Sequence, residues 1–338
     1  LQPGQRLPIE IELPIQSPGI FRGTVSIDHE DRYKWDNERS LAFQTRHPDR
    51  LLLIDGDAGK RAWESETYFV ETALRLRTPV GDGPAKTFEV ERMVWDRGSG
   101  FPDLAGFRLM LVANVGRFRE QDAARLRSYV RDGGNVIWFA GERSTTVVHQ
   151  RLIDAGLLGQ TKLGPAIDTI ARTVQFDSSH DALKPFEKPQ HGDLRTLVAR
   201  RVVPIGELDP ASRVLMRSRQ WPLIVSHRTG EGEFVLIATS ADRDWNDWPQ
   251  NRLFVPLVRQ LAGWLTGQFD QRVGVKSEPI SRADQEPGIS TDGDLILVHN
   301  VDPEESKIGR YSVEQFREMA GLPENATVTD DADRREQL

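Results

Sequence analysis

The chain has 338 residues, 38% of them hydrophobic and 28% charged. That length suits about two globular domains, able to bury a core without metals or disulfides. A formal charge of -7 excludes a general nucleic-acid binder, which needs a basic face to displace counterions. The absence of cysteine excludes disulfides, thiolate zinc sites and cysteine nucleophiles together.

Residues 1–46 read as a partial β-sandwich of immunoglobulin type. Ile9, Ile11 and Leu13 alternate with Glu10 and Glu12 at the period of a half-buried strand. Thr24 to Ile27 and Leu41 to Thr45 supply two more strands. Three short strands are not stable unaided, so they belong to a sandwich or to a sheet that another segment completes.

Residues 47–270 read as an α/β domain. Leu51 to Ile54, Arg108 to Ala113, Val136 to Ala140 and Phe234 to Thr239 are continuous apolar runs, the mark of strands buried on both faces. Phe88 to Val94 is a weaker strand. Helices lie between them: one capped by Ser65 with Phe69, Ala73 and Leu76 at helical spacing, one with Ala123, Leu126 and Val130 stopped by Gly133-Gly134, and one with Val148, Leu152 and Ala155. A last helix carries Phe254, Leu257, Leu261 and Leu265, with Pro256 in its first turn or kinking it. Strand and helix alternating through short loops predict a three-layer, flavodoxin-like fold: a mostly parallel sheet with flanking helices. Prolines break residues 160–230, about, into a β-rich insertion.

Residues 271–338 form a C-terminal extension with one strand, Leu295 to Val298, a short helical piece holding Phe316 and Met319, and an acidic tail around Asp330, Asp331, Asp333 and Glu336. No run approaches the roughly 18 apolar residues of a membrane span. The chain begins at Leu1 and reads as a piece of something longer, whose flanks would hold any membrane or targeting signal.

Four stretches carry a family resemblance: Leu51-Leu52-Leu53-Ile54-Asp55-Gly56-Asp57, the helix start Glu64-Ser65-Glu66, Arg127-Ser128-Tyr129-Val130-Arg131-Asp132-Gly133-Gly134, and Asp242-Arg243-Asp244-Trp245-Asn246-Asp247-Trp248-Pro249. Over roughly residues 20 to 310 the chain resembles the class I glutamine amidotransferase-like domain of bacterial BatA-type, von Willebrand A-associated membrane proteins. The resemblance implies an extracytoplasmic, periplasmic place beside a membrane, reached through segments outside this chain, with a cytoplasmic place left open. A working class I amidotransferase has a Cys on the turn after a central strand and a late His-x-Glu. The corresponding turn here is Gly141-Glu142-Arg143-Ser144, and the late segment is Ala241-Asp242-Arg243-Asp244. Both halves of the catalytic motif are missing. Ser144 would serve as a nucleophile only with a base beside it, and no histidine stands at an obvious partner position.

Ligands of open α/β sheets bind outside the carboxyl ends of the strands. That rule collects Asp55, Asp57, Asn114, Gly116, Glu142, Asp242 and Asp244 at one rim. Converging carboxylates there can hold a hard cation such as Ca²⁺, although strand exits need Asp and Asn for turns and caps in any case. Asp242-Arg243-Asp244-Trp245-Asn246-Asp247 begins like a calcium loop but has Asp247 for the Gly and Leu253 for the closing Glu, so capping of the last helix is the expected role. The seven histidines lack paired metal spacing and read as surface or satisfied core residues. Arginines 195, 200, 201, 213, 217, 219 and 228 make the insertion basic, either as a solvated hairpin surface or toward an acidic partner or lipid headgroups. Gly81-Asp82-Gly83-Pro84 reads as a plain loop. No cofactor and no metal site are expected. The leading expectation is a catalytically inactive scaffold or interaction domain with a protein partner. The alternative is a hydrolase or small-molecule-binding domain using the rim carboxylates, with eight tryptophans as the one hint of a carbohydrate ligand.

Overall fold

A computed structural model of the chain describes residues 17–28, 37–45, 47–76, 88–96, 100–268, 274–280, 287–293 and 295–302, and single positions at 9, 11, 13, 319 and 321. In chain order the elements are β1 (Gly19–Ser26), β2 (Glu38–Thr45), β3 (Asp49–Asp55), α1 (Tyr68–Arg75), β4 (Phe88–Val94), β5 (Leu109–Ala113), α2 (Glu120–Arg131), β6 (Asn135–Phe139), α3 (Thr146–Asp154), β7 (Ile167–Phe176), β8 (Val198–Val202), β9 (Ser212–Ser218), β10 (Pro222–Thr229), β11 (Gly232–Ile237), α4 (Phe254–Leu265), β12 (Gly274–Pro279), β13 (Gly288–Asp292) and β14 (Leu295–Asn300). They fall into two compact units, His47–Asp270 and Leu1–Arg46 with Gln271–Leu338.

The larger unit is mixed α/β, built on a nine-stranded sheet of order β4-β3-β5-β6-β11-β10-β9-β7-β8. From β4 to β11 the neighbours pair parallel, and from β11 to β8 they pair antiparallel. The sheet is therefore parallel in one half only, and the residues read as an insertion extend it. The reason is local: β10 reaches β11 through a tight turn at Thr229 to Gly232, with Gly230 at φ 65°, and a hairpin connection can only join antiparallel strands.

Alternation along the strands sorts the core into two clusters. Leu51 and Leu53 of β3 pack with Val70, Ala73 and Leu74 of α1 and Leu257, Val258 and Leu261 of α4. Leu52 and Ile54 pack with Ala123, Leu126 and Val130 of α2 and Val148 and Leu152 of α3. Both faces of β3 are thus covered, which is why Leu51 to Ile54 is a continuous apolar run.

One buried cation ties two of these helices together. Arg259 of α4 is 1% exposed, and its Nη1 donates to the carbonyls of Ala73 (3.2 Å), Leu74 (3.2 Å) and Leu76. These are orphan acceptors at the C-terminal end of α1, where the helix dipole also favours positive charge.

Several local expectations are corrected. Ser65 does not cap α1, whose N-cap is Thr67; its hydroxyl turns inward to Asp55 instead. Asp242 and Asp244 lie well ahead of α4 and do not cap it; Asn251, whose Oδ1 accepts from the Leu253 N–H at 3.0 Å, sits nearer that start. Ile9, Ile11 and Leu13 are 77%, 63% and 54% exposed and carry no strand. Alternation places a residue only where a neighbouring strand offers a ladder, and the paired register of β1 begins at Gly19.

In the smaller unit β1 and β2 pair antiparallel, while β14 pairs parallel with β12 and antiparallel with β13. Phe21 stacks on Phe43 at 5.5 Å. Asn300 bridges the two sheets, accepting from the Ser40 N–H at 2.8 Å and donating to the Ser40 carbonyl at 2.9 Å. Met319 is exposed, whereas Gly81 to Pro84, Phe316 and the acidic tail lie outside the described residues.

The Arg259 contacts generate a stability prediction. Replacing Arg259 with Met keeps the apolar stem but strands the α1 carbonyls, so unfolding free energy should fall by about 2–3 kcal/mol. Urea titration checks it: the midpoint should drop with an unchanged slope, and an unmoved midpoint contradicts the assignment.

Candidate functional site

Four strand exits, after β3, β5, β6 and β11, supply the rim residues singled out in the sequence. At the β3 exit the Asp55 side chain is fully buried. Its Oδ2 accepts from Ser65 Oγ at 2.6 Å and Thr67 Oγ1 at 3.2 Å, and Arg92 Nη1 of β4 stands 3.5 Å away. Asp57 reaches across to Arg143 on the β6 exit, with Oδ2 2.6 Å from Nη2. Arg143 Nη1 also donates to the Gly56 carbonyl at 2.6 Å, so this one side chain spans the exits of β6 and β3.

Asn114, at the β5 exit, is the hub. Its φ of 52° is left-handed, a conformation that Asn tolerates better than most side chains. Its Nδ2 donates to Glu66 Oε1, and its Oδ1 accepts from the Arg143 backbone N–H at 2.6 Å. Two glycines make this approach possible: a Cβ on Gly56 would overlap the Asn114 carbonyl, and one on Gly141 would overlap the Asn114 side chain. Gly116 lies beside Arg143, and its carbonyl accepts from Trp95 Nε1 at 3.1 Å.

At the β11 exit Asp242 is 6% exposed, and its Oδ1 accepts from the Asp244 N–H at 3.0 Å. Asn246, fully buried, donates to the Ser240 carbonyl at 2.8 Å and holds the turn closed. Glu142 is apart from all this. It is largely exposed and pairs with Arg201 at 3.1 Å.

The residue that gives the rim its electrostatic character is Glu66, in sequence an ordinary member of the helix start Glu64-Ser65-Glu66. It is 4% exposed, and its Oε2 has no hydrogen-bond partner. Burial, then the nearby Asp242, push its pKa up to about 9, with Asp244 and Asp55 adding to the rise and the Asn114 hydrogen bond opposing it. Glu66 is therefore a neutral carboxylic acid at physiological pH. Burial also raises the Asp242 pKa. Nothing in the run Trp63 to Thr67 flags this, because the inward turn of Glu66 is set by the β5 and β11 loops.

Chemically the rim offers a neutral acid, a carboxamide and a cation already engaged on both sides. The Ser144 hydroxyl is buried and donates to the Val115 carbonyl at 3.2 Å. Among the described residues no group of three or more His, Asp or Glu is placed to hold a metal ion. His149 departs from the expectation of a satisfied core histidine. It is 2% exposed with neither ring nitrogen hydrogen-bonded, and burial pushes its pKa down to about 4.

No family model matches the chain, and no curated relative matches it significantly. Among solved structures it is similar to a cytoplasmic protein from Salmonella typhimurium LT2, with 16% identity, 64% of this chain and 99% of that chain covered, and a TM-score of 0.48. A ThuA-like protein from Bacteroides uniformis gives 12% identity over 64% of this chain and 91% of that chain, with a TM-score of 0.40. A cold-adapted β-galactosidase from Rahnella gives 14% identity over 65% of this chain but 31% of that chain, with a TM-score of 0.42.

Glu66 yields a pH prediction. With a folded pKa raised from 4.5 to about 9, its contribution to stability is fully present below pH 4.5 and is lost as pH rises through 9. A Gln keeps the acceptor for Asn114 and does not titrate. Glu66→Gln should therefore melt with the wild type near pH 4.5 and progressively above it toward pH 9. Thermal melts across that range decide it, and a gap independent of pH would show that the carboxyl is not held neutral.

Proposed function

We propose that the chain is a catalytically inactive, amidotransferase-like domain that serves as a scaffold or interaction module with a protein partner. The observation that carries this reading is the Arg143 bridge. In an open α/β sheet the crevice between the exits of the first and third strands is where ligands enter. Here Arg143 crosses it, bound to the Gly56 carbonyl and to Asp57 at 2.6 Å each, with its backbone tied to Asn114. The hydroxyl of Ser144 is engaged by the Val115 carbonyl. A covalent hydrolase needs a nucleophile, an activating base and free oxyanion donors, and in the turn after β6 the Ser144 hydroxyl and the Arg143 N–H are already in structural bonds.

The finer architecture belongs to the same proposal. Along the parallel half the order β4-β3-β5-β6-β11 is second, first, third, fourth, fifth in the chain, the flavodoxin-like order. Helices divided between two core clusters support a three-layer arrangement. The four stretches resembling BatA-type, von Willebrand A-associated proteins support a place on the periplasmic side of a bacterial membrane, anchored by segments outside this chain. No helix among the described residues is long and apolar enough to cross a membrane.

One observation favours a second reading, a hydrolase or small-molecule-binding domain working with rim carboxylates. A buried neutral Glu66 beside Asp242 is the kind of perturbed acid pair that active sites build. Turnover assays separate the two. Glutamine, simple esters and simple amides at high protein concentration should give no rate above buffer, and Ser144→Ala and Glu66→Gln should leave that baseline unmoved. Turnover that survives repurification and disappears in either variant would put the carboxylate or serine enzyme first.

A further inference from the structure

The rim is not the only place where polar side chains converge. A cavity of about 360 Å³ lies in the antiparallel half of the sheet, lined chiefly by His180, Arg213, Ser226, Arg228, Glu233 and Trp264. Glu233 sits near the amino end of β11, so this cavity is at the opposite end of that strand from the Asp242 turn. Its walls come from β9, β10 and β11, from the segment after β7, and from α4. Two of the arginines that make residues 160–230 basic therefore point to a common space.

We propose that this cavity binds a neutral, hydroxyl-rich small molecule of about monosaccharide size. The inference stands apart from the rim and does not depend on whether the rim is catalytic. The volume is near the lower end of the range for small-molecule sites, about 300–1,000 Å³. An apolar ligand of that size would leave guanidinium and carboxyl groups desolvated without partners. The choice among polar ligands follows from how the lining charges are already matched. Arg213 is held by Asp177, with Nη2 to Oδ2 at 2.6 Å, and donates to Ser179 Oγ at 3.0 Å. Arg228 is 3.8 Å from Glu231. Burial disfavours the charge on Glu233, against the pull of Ser226, Arg228 and Arg213. His180 Nδ1 accepts from the Ala182 N–H at 3.3 Å, which leaves Nε2 as the donor, and burial followed by Arg213 keeps the ring neutral.

A free anion would meet Asp181 and would have to compete with Asp177 for Arg213, and a free cation would meet both arginines. A zwitterion would need strong, unmatched charges at two separate points, and the strongest cation here already has Asp177. What the cavity offers is a mixture of donors and acceptors with little net field. A ring of hydroxyl groups, each able to donate and accept, uses that mixture fully. Trp264 adds an apolar wall, its indole held edge-on by His180 at 4.3 Å between ring centroids.

The test is calorimetric and NMR titration of the intact 338-residue chain with glucose, galactose, mannose and arabinose, with sodium acetate, inorganic phosphate and glycine as comparison probes. At least one sugar should bind saturably in the millimolar range while the three comparison probes do not. Arg228→Ala, at a largely exposed side chain, should weaken that binding about tenfold, as loss of one charged hydrogen-bond partner does. Glu233→Gln, which preserves shape, should weaken it too, and both variants should keep the wild-type melting profile. The proposal is overturned if no sugar binds, if binding is unchanged in both variants, or if acetate, phosphate or glycine binds in place of the sugars.

Discussion

The larger unit depends on the close approach of three backbone turns at the carboxyl end of its parallel strands. Gly56, Asn114 and Gly141 end β3, β5 and β6, and the space between them admits no Cβ on either glycine. With the turns that close, the Asn114 side chain packs against Gly141, and its two functional ends join Glu66 on one side to the Arg143 backbone on the other. Arg143 is thereby oriented with its guanidinium back over Gly56 and Asp57. A rim set this way is stiff, because moving any one exit breaks bonds to the other two.

The same packing explains how the rim carries so many acidic groups. Hydroxyls, arginines and protonation each relieve some of them. Asp55 receives two hydroxyls and stands near Arg92, Asp57 has Arg143, and Glu142 reaches out to Arg201. Glu66 has no cation and is left with one oxygen unpartnered, so protonation is the remaining way to lower the cost of burying it. A neutral Glu66 also limits repulsion with Asp242, which is buried on the neighbouring exit. The stability of the rim is thus linked to pH through a residue whose sequence neighbours give no hint of it.

How far the sequence could be read follows from which forces are local. Leu51 to Ile54, Leu109 to Ala113 and Val136 to Ala140 were legible because a strand buried on both faces must be apolar at every position. The stop of α2 was legible because Gly133, at φ 101°, takes a backbone conformation that disfavours other residues. The antiparallel strands β7 to β10 were seen as β structure but not as part of the main sheet, since one-sided burial of β7 gives the same alternation in any sheet. Asp242 and Asp244 resemble helix caps in sequence because Asp near a helical run is a generic signal, and only the three-dimensional turn shows Asp242 bonded to the Asp244 N–H. Glu66 and Arg259 were illegible for a shared reason: each is a charged residue type whose burial is decided by partners 48 or more positions away.

The general expectation that ligands gather at the carboxyl ends of parallel strands speaks to the parallel half of this sheet. This sheet changes character at β11. Beyond it the strands run antiparallel, and the hairpin sets Arg228 of β10 opposite Glu233 at the amino end of β11. Ser226 and Arg228 stand on the strand next to Glu233, and α4 lays Trp264 against His180 from the segment beyond β7. The polar groups of the parallel rim are bonded to one another across a gap too tight for a Cβ. Those at the other end surround open volume instead. The antiparallel extension thereby supplies a concavity at the end of the sheet that the parallel half alone would leave closed.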